Sequence, residues 1–241
     1  MGKETITLAR ALSKLGYCSR ARAPLIIKSG RVRVNGRPVR TPSFNVDMDK
    51  DVVEVDNTHL VRPGTLVIML NKPTGFVTTA SDELSRKTVY ELIPRDQHLF
   101  PVGRLDMDTS GLLLFTNNGD LQNRITSPSG EVTKTYMATV NGKFPQAYID
   151  KFLKGIEIGS GTVVKADNCR VVLKEFSRTS IELKIHEGKN RQVRRMFQAL
   201  GKSVTRLERT AIGALELDVT EGSWRKLSDE DIQLIFEQCR K

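Results

Sequence analysis

Cysteine and histidine are scarce in this sequence, with three of each in 241 residues. Cys18, Cys169 and Cys239 are widely separated and odd in number, which argues against both a zinc motif and a disulfide framework. The histidines show no metal-ligand spacing. We therefore expect three reduced thiols, as in a cytoplasmic protein, and no metal site.

Long hydrophobic runs are also lacking. The apolar runs at 66–70 and 112–115 have the length of strands, far short of a membrane span. The amino terminus has no signal-peptide core, and Ile6 stands where a myristoylation signal requires Ser or Thr. With 39% hydrophobic and 27% charged residues, the composition fits a folded globular protein. We expect a cytoplasmic protein with no membrane partner.

Positive charge is abundant and unevenly placed. Residues 1–40 carry a net charge of +9, which leaves +1 of the total +10 for the other 201 residues. Such concentration favours a polyanionic partner, and RNA or DNA would satisfy the electrostatics equally. The basic residues of this segment are Lys3, Arg10, Lys14, Arg20, Arg22, Lys28, Arg31, Arg33, Arg37 and Arg40.

The amino-terminal part reads as a small module. Apolar residues at helical spacing predict a first helix that ends at Gly16. A second helix is predicted from a Ser19 cap to Gly30, although Pro24 fits it only if it begins later, with the proline in its first turn. A strand at 31–34 and the Asn35-Gly36 dipeptide predict a hairpin. A later strand is predicted near 52–55.

The rest of the chain is predicted to be a mixed α+β domain, with strands and helices that do not alternate regularly. Residues 57–65 read as a linker, so we expect domains at 1–60 and 66–241. Ser228 to Asp231 forms a capping-box pattern for a final helix that ends near Gln238. The predicted strands lie at 66–70, 112–116, 136–140, 169–173 and 180–185, and the other helices at 120–126, 145–154 and 190–200.

Four motifs stand out in the predicted α+β domain, in this order: Lys72-Pro73-Thr74-Gly75, Gly103-Arg104-Leu105-Asp106, Lys134-Thr135-Tyr136, and the block from Glu187 to Met196. Each motif is unspecific alone. Residues 106–111 also place acids and a glycine as an EF-hand loop does, but its twelfth position is Asn117 where a bidentate Glu belongs. We expect the Lys72 to Gly75 segment to fix a turn and to take no part in chemistry.

Together and in this order, the motifs resemble those of the RNA pseudouridine synthases of the RsuA/RluB/RluF type. The first module resembles an S4-type RNA-binding domain, through 15–20 and 30–36. The resemblance implies a small α/β RNA-binding module followed by a mixed, largely antiparallel-sheet catalytic domain. It implies an enzyme that isomerises uridine in RNA by base flipping, with no metal and no small-molecule cofactor.

Site residues follow from the same resemblance. Asp106 is implied as the catalytic carboxylate, which either adds to the sugar covalently or removes a proton. Arg194 is implied as the basic residue that pairs with Asp106 and keeps it ionised. Tyr136 is implied to stack on the target base, although an aromatic on a strand is more often a core residue. The RNA-binding residues implied by the resemblance or by charge are Gly103, Arg104, Leu105, Asn190, Arg191, Gln192, Leu207, Arg10, Lys14, Arg20, Arg22, Arg31 and Arg33.

The substrate is expected to be a structured stem-loop of ribosomal RNA. Residues 99–102, 207–210 and 222–225 resemble the RluF type, which acts on large-subunit (23S) RNA, whereas 125–128 and 134–136 look more like RsuA, which acts on the small subunit. Small-subunit RNA and tRNA stay open as substrates, as does a non-catalytic RNA-binding role in ribosome assembly. We expect a monomer.

Overall fold

The computed structural model describes residues 5–80, 82–94, 98–127, 129 and 131–237. The predicted helix end at Gln238 and the thiol of Cys239 lie outside these residues. The chain forms two compact units. The first comprises Met1–Leu66, Asp96–Phe100 and Asn117–Gly119, and the second comprises Val67–Arg95, Pro101–Thr116 and Asp120–Lys241.

The first unit packs two short helices against small sheets around one apolar core. The first helix buries Leu8, Ala11 and Leu12, as its spacing predicts. Strands β1 and β4 pair with each other, and the other four form a sheet in the order β3-β2-β5-β6. The elements are β1 (Thr5–Thr7), α1 (Leu8–Lys14), α2 (Ala23–Lys28), β2 (Val32–Val34), β3 (Arg37–Pro38), β4 (Asn45–Asp47), β5 (Val53–Val55) and β6 (Thr58–His59).

The second helix begins later than its predicted cap. Helix α2 starts at Ala23 with Arg22 as the N-cap residue, and Pro24 lies in its first turn. A proline is tolerated there because the first backbone N–H groups of a helix have no partner within the helix. Among the described residues, the Ser19 hydroxyl accepts a hydrogen bond only from the Arg22 backbone N–H, at 3.3 Å, which lies before the first helical residue. The prediction that Ser19 caps this helix is therefore wrong.

Tight turns define the strands of this unit. The Asn35-Gly36 hairpin is confirmed, with φ of 51° and 76° at the two residues. A second turn of the same kind, at Asp56-Asn57, returns the chain as β6, which pairs with β5. The predicted linker is therefore wrong for Thr58–His59, because the two turn residues adopt the left-handed conformation that a two-residue hairpin requires.

The second unit contains a nine-stranded sheet, a separate two-stranded sheet of β11 and β12, and helices, as far as the described residues show. Its main path runs β13-β14-β10-β15-β9-β7-β17, with β8 beside β9 and β16 beside β15. Its elements are β7 (Val67–Lys72), a 3₁₀ turn (Val89–Glu91), β8 (Phe100–Val102), β9 (Ser110–Thr116), α3 (Gly119–Thr126), β10 (Lys134–Asn141), α4 (Gln146–Lys154), β11 (Ile156–Glu157), β12 (Val163–Val164), β13 (Asn168–Lys174), β14 (Arg178–Ile185), α5 (Gln192–Gln198), β15 (Val204–Ile212), β16 (Leu215–Glu216), β17 (Trp224–Lys226) and α6 (Asp229–Phe236).

The expected α+β class, with a largely antiparallel sheet, is confirmed. Every pair along the main path is antiparallel except β9 with β15, which is parallel. Two apolar cores form, one around β10, β14, α4 and α5 and one around β7, β9, α3 and α6. The predicted capping box of α6 is present at Ser228 and Asp231. Within the described part of the chain, no helix is both long and apolar enough to cross a bilayer.

Strand β15 lies at the centre of the sheet and was not predicted. It alternates buried Leu207 and Arg209 with the more exposed Arg206 and Glu208. Three of the four residues from Arg206 to Arg209 are charged, and such a stretch of sequence is more typical of a loop than of a central strand. The strand is nevertheless central because β10 pairs along one edge and β9 contacts the other.

Gly111 allows the close contact between β9 and β15. Its φ is +101°, and a Cβ atom built on it would lie 2.3 Å from the Arg209 carbonyl oxygen and 2.7 Å from the Arg209 nitrogen. Backbone atoms cannot swing away as a side chain can. Only glycine therefore fits where the strand that follows Asp106 meets β15.

We expect Gly111→Ala to lower the free energy of unfolding by more than about 3 kcal/mol, since overpacking costs roughly 1–3 kcal/mol and a left-handed alanine adds roughly 1–2 kcal/mol. Gly201→Ala is the matched control. Gly201 has a φ of +69° but no atom near its missing Cβ, so roughly 1–2 kcal/mol is expected there. Urea unfolding of both variants measures the difference, and equal losses would show that the contact at Gly111 is not tight.

Candidate active site

The second unit contains a cleft of about 550 Å³. Its walls come from the loop before β9, the start of β10, the end of β14, the loop before α5, and β15. We call residues 103–109 the Asp106 loop. The cleft brings together ten residues that the sequence predicted as site residues: Gly103, Arg104, Leu105, Asp106, Tyr136, Asn190, Arg191, Gln192, Arg194 and Leu207.

The Asp106 loop rests on a buried lysine. Lys72 is fully buried at the end of β7, and its Nζ donates hydrogen bonds to the carbonyl oxygens of Pro73 (3.0 Å), Asp106 (3.1 Å) and Thr109 (2.8 Å). Burial lowers the pKa of Lys72 to about 8, against the opposing attraction of Asp106. The lysine thus holds both ends of the turn that carries the carboxylate.

Two further contacts fix the loop. The Gly75 backbone N–H donates to the Met107 carbonyl at 2.8 Å. The Thr78 hydroxyl donates to the Leu105 carbonyl at 2.8 Å and accepts from the Leu105 N–H at 3.3 Å. Lys72 and Gly75 therefore support the loop by hydrogen bonds to its backbone carbonyls.

The arginines do not pair as predicted. We expected Arg194 to pair with Asp106, but its Nε lies 3.2 Å from Asp108 Oδ2, and its Nη2 donates to the Asp108 carbonyl oxygen at 2.6 Å. The guanidinium that approaches Asp106 belongs to Arg191, whose Nη1 lies 3.7 Å from Asp106 Oδ2. The predicted Arg194–Asp106 pair is therefore wrong in this structure.

Asp108 explains this arrangement. Arg191 donates to both of its carboxylate oxygens, at 3.0 and 2.8 Å. This hydrogen bonding lowers the pKa of Asp108 and raises the pKa of Arg191. Arg194 is also tied to β15 by a 2.9 Å hydrogen bond to the Val204 carbonyl, and burial lowers its pKa. Arg194 thus joins helix α5 to the loop and to the sheet.

The loop before α5 is closed by Gln192. This side chain is buried, and its Oε1 accepts from the Lys189 N–H at 2.9 Å while its Nε2 donates to Glu187 Oε1 at 2.9 Å. Arg191 takes the left-handed conformation, with φ of 49° and ψ of 31°. Both ends of the Gln192 amide are therefore used inside the protein, which favours positioning of Arg191 over the predicted contact with RNA.

Tyr136 and Leu207 lie on adjacent strands. Tyr136 on β10 is half-buried, and Leu207 on β15 is buried. Both line the cleft, and both also contribute to the apolar core around α5. Tyr136 thus has the core packing that its strand position suggests and a place in the cleft as well.

Two cations in the cleft wall were missed, the buried Arg209 and the half-buried Lys134. Arg209 is 4% exposed, and its Nε donates to the Leu112 carbonyl at 2.7 Å. The Lys134 Nζ donates to the carbonyls of Val132 (2.7 Å), His186 (3.1 Å) and Ile125 (3.3 Å). The pKa of Lys134 is lowered to about 8, mainly by loss of contact with solvent and next by the nearby positive charge of Arg209. Both residues lie inside motifs noted in the sequence. The sequence does not show, however, whether a charged side chain on a strand points into the protein or into solvent.

The basic residues of the first unit differ in their surroundings. Arg20, Arg22 and Arg33 are exposed, while Arg10 and Lys14 are half-buried. Arg31 is exposed but bonded to the Asp56 carboxylate and to the Tyr17 hydroxyl. Arg31, which was predicted to bind RNA, is therefore already paired with an acidic side chain of the protein.

The described residues contain no group of three His, Cys, Asp or Glu side chains placed to hold a metal ion. The Asp108 carboxylate that an EF-hand reading would assign to calcium is bonded by two guanidinium groups. Cys18 and Cys169 are buried free thiols, and burial raises the pKa of Cys169 to about 12.

Comparison with known families assigns both parts of the chain. Residues 66–199 match the RNA pseudouridylate synthase family, and residues 7–53 match the S4 domain. A crystal structure of a pseudouridylate synthase superposes with a TM-score of 0.67 at 29% identity, and it covers 95% of this chain and 99% of its own.

Full-length relatives agree with the family matches. The chain is 39% identical over 234 residues to a protein of Aquifex aeolicus named as an uncharacterized RNA pseudouridine synthase, covering 96% of this chain and 94% of that one. It is 37% identical over 229 residues to the ribosomal large subunit pseudouridine synthase B of Bacillus subtilis, covering 94% and 93%. This chain therefore belongs to the RNA pseudouridine synthase family and combines its catalytic domain with an S4 domain.

Proposed function

We propose that this pseudouridine synthase isomerises one uridine of large-subunit ribosomal RNA, with Asp106 as the catalytic carboxylate. The observation that carries the assignment of Asp106 is its placement. Its backbone is fixed by Lys72, while its carboxylate is 30% exposed in the cleft and has Arg191 as its nearest cation. A reactive group on a loop held by a rigid sheet is the usual arrangement in enzymes.

The reaction needs a group of this kind. The bond between uracil N1 and the sugar breaks, the base turns, and a bond between uracil C5 and the same sugar carbon forms. The proton on C5 is lost and N1 gains one, so atoms balance and nothing is oxidised or reduced. Asp106 either adds to the sugar carbon or removes a sugar proton, and either role requires its ionised form.

Arg191 is the residue we assign to the electrostatic support of Asp106. A guanidinium at 3.7 Å places a positive charge beside the carboxylate and leaves its oxygens free for the sugar. Arg194 keeps a supporting role, because its hydrogen bonds hold α5 against the loop and β15.

Tyr136 and Leu207 are placed to hold the base. The target uracil has to leave its stack to reach the cleft, since the reacting bond is inaccessible in a helix. Stacking on an aromatic ring contributes roughly 1–3 kcal/mol for a flipped base. We assign Tyr136 to this stacking and Leu207 to the apolar floor. The exposed side chains of Arg104 and Asn190 lie at the rim and can contact the RNA backbone.

The S4 domain would supply most of the affinity for RNA. It carries most of the net charge of the chain, and charge on exposed arginines is what attracts RNA phosphates. The name of the Bacillus subtilis relative supports large-subunit RNA as the substrate, and action in the cytoplasm would follow. Small-subunit RNA and tRNA are the alternatives, and assignment to the RluF type within the family stays a prediction.

The proposal is tested by mapping pseudouridine in total RNA from cells with and without this protein. Chemical derivatisation specific to pseudouridine is needed because the isomers have the same mass. We expect one position in large-subunit RNA to lose its signal in the deletion strain and to regain it when the protein is supplied. A lost position in small-subunit RNA or tRNA would contradict the substrate, and no lost position would contradict activity on cellular RNA.

We expect Asp106→Asn to abolish isomerisation and to leave RNA affinity nearly unchanged, because binding rests on phosphate contacts elsewhere. Single-turnover assays and filter binding on the mapped RNA measure the two effects. Glu182→Gln is the control, since it removes a carboxylate paired with Arg170 on the far strands β13 and β14. Activity of Asp106→Asn above about 1% of wild type would contradict the assignment, since loss of an essential nucleophile costs far more than 10²-fold.

We expect the triple variant Arg20→Gln, Arg22→Gln, Arg33→Gln to weaken RNA binding and to reduce its salt dependence. Each lost phosphate contact lowers the slope of log affinity against log salt by roughly 0.7–0.9. The control removes the exposed charges of Lys151, Lys154 and Lys174 on α4 and β13, which carry no cleft residue. Equal effects of the two triple variants would show that the S4 arginines make no special contact with RNA.

A further inference from the structure

Asp108 has no role in the function described so far, yet its carboxylate binds two arginines of the site, Arg191 and Arg194. Arg191 donates to it through two nitrogens, and Arg194 Nε lies 3.2 Å from it. The catalytic carboxylate, two residues earlier, receives only the 3.7 Å approach of Arg191. The shorter ion pair of Arg191 is therefore the one with Asp108, at 2.8 Å, the carboxylate that we assign no part in the reaction.

Arg191 has few other restraints. Its side chain is 44% exposed, and its backbone is left-handed at the first turn of α5. The described residues provide no other side-chain hydrogen bond for its guanidinium. A long exposed side chain loses considerable conformational entropy when it is held in one rotamer. The Asp108 contact is thus what fixes the direction in which Arg191 points.

The spacing at Asp106 has a chemical consequence. If Arg191 made its two-nitrogen contact with Asp106, the oxygens that have to attack the sugar or accept its proton would be occupied by hydrogen bonds. If Arg191 turned away to an RNA phosphate, Asp106 would lose the nearby positive charge. The pairing with Asp108 avoids both outcomes, because it keeps the guanidinium near Asp106 without a direct hydrogen bond.

We propose that Asp108 is a positioning residue for the isomerisation, which holds Arg191 beside Asp106 at a distance that supports the reactive carboxylate without blocking it. This inference rests on the proposed role of Asp106. It assigns Asp108 an effect on the rate of the bound complex that passes through Arg191, and no direct contact with the reacting uridine.

A double-mutant cycle tests the proposal. Asp108→Asn removes the charge but keeps the backbone carbonyl that accepts from Arg194. We expect this variant to lower the single-turnover rate at saturating RNA by about 10–10²-fold, as small misplacements of a catalytic group do. RNA affinity should be unchanged or tighter, because a negative charge is removed from beside Arg191 and Arg194, which line the cleft. Glu182→Gln is again the control and should keep the wild-type rate.

The decisive comparison is made in the Arg191→Ala background. If Asp108 acts through Arg191, adding Asp108→Asn to Arg191→Ala should change the rate by less than about threefold, since coupled residues are not additive. The same fold loss in both backgrounds would overturn the proposal, because it would mean that Asp108 acts independently of Arg191. A wild-type rate for Asp108→Asn would overturn it as well.

This experiment distinguishes a failure of the proposed function from a failure of the role assigned to Asp108. Inactivity of the wild-type protein on the mapped RNA, or full activity of Asp106→Asn, would refute the proposed function. An active wild type and an inactive Asp106→Asn with an additive cycle would refute only the role of Asp108. Thermal unfolding of each variant separates a loss of rate from a loss of folded protein.

Discussion

The close approach of β9 and β15 at Gly111 is the constraint on which the rest of the site depends. It joins the β7–β9 part of the sheet to the β10–β14 part through the one parallel pair of the main path. The Asp106 loop enters β9 immediately before this point, so the contact also brings the carboxylate to the face formed by Leu207 and Arg209. A side chain at Gly111 would separate the strands and move the loop away from that face.

Buried positive charge is the second organising feature. Lys72 and Lys134 are each solvated by three backbone carbonyls, and Arg209 by one through its Nε. Charges in such places are costly unless polar groups surround them. Here most of the carbonyls belong to loops, and the other two are those of Ile125 on α3 and Leu112 on β9. The same bonds that stabilise the cations therefore fix those loops. The resulting positive surroundings suit a substrate that carries phosphates.

Much of the fold could be predicted from local patterns. The strand at 66–70, the Asn35-Gly36 hairpin and the Ser228 capping box depend on neighbours in the sequence, and all are confirmed. Strand β15 was not predicted because its charged residues are acceptable in a sheet only when particular partners surround them. Arg209 is buried because the Leu112 carbonyl lies beside it, 97 positions away in the chain. No local pattern contains that information.

The sequence by itself determined the family, the class of chemistry and ten of the residues that line the cleft, because the ordered motifs and the basic amino-terminal segment are visible without coordinates. The tertiary structure decided how those residues are paired. The motif block places Arg191 and Arg194 three positions apart, which puts both on one side of a helix and does not distinguish them. Which guanidinium approaches Asp106 is decided by the left-handed backbone at Arg191, the Val204 carbonyl that holds Arg194 and the carboxylate of Asp108. These are contacts between segments far apart in the chain, and only the folded protein brings them together.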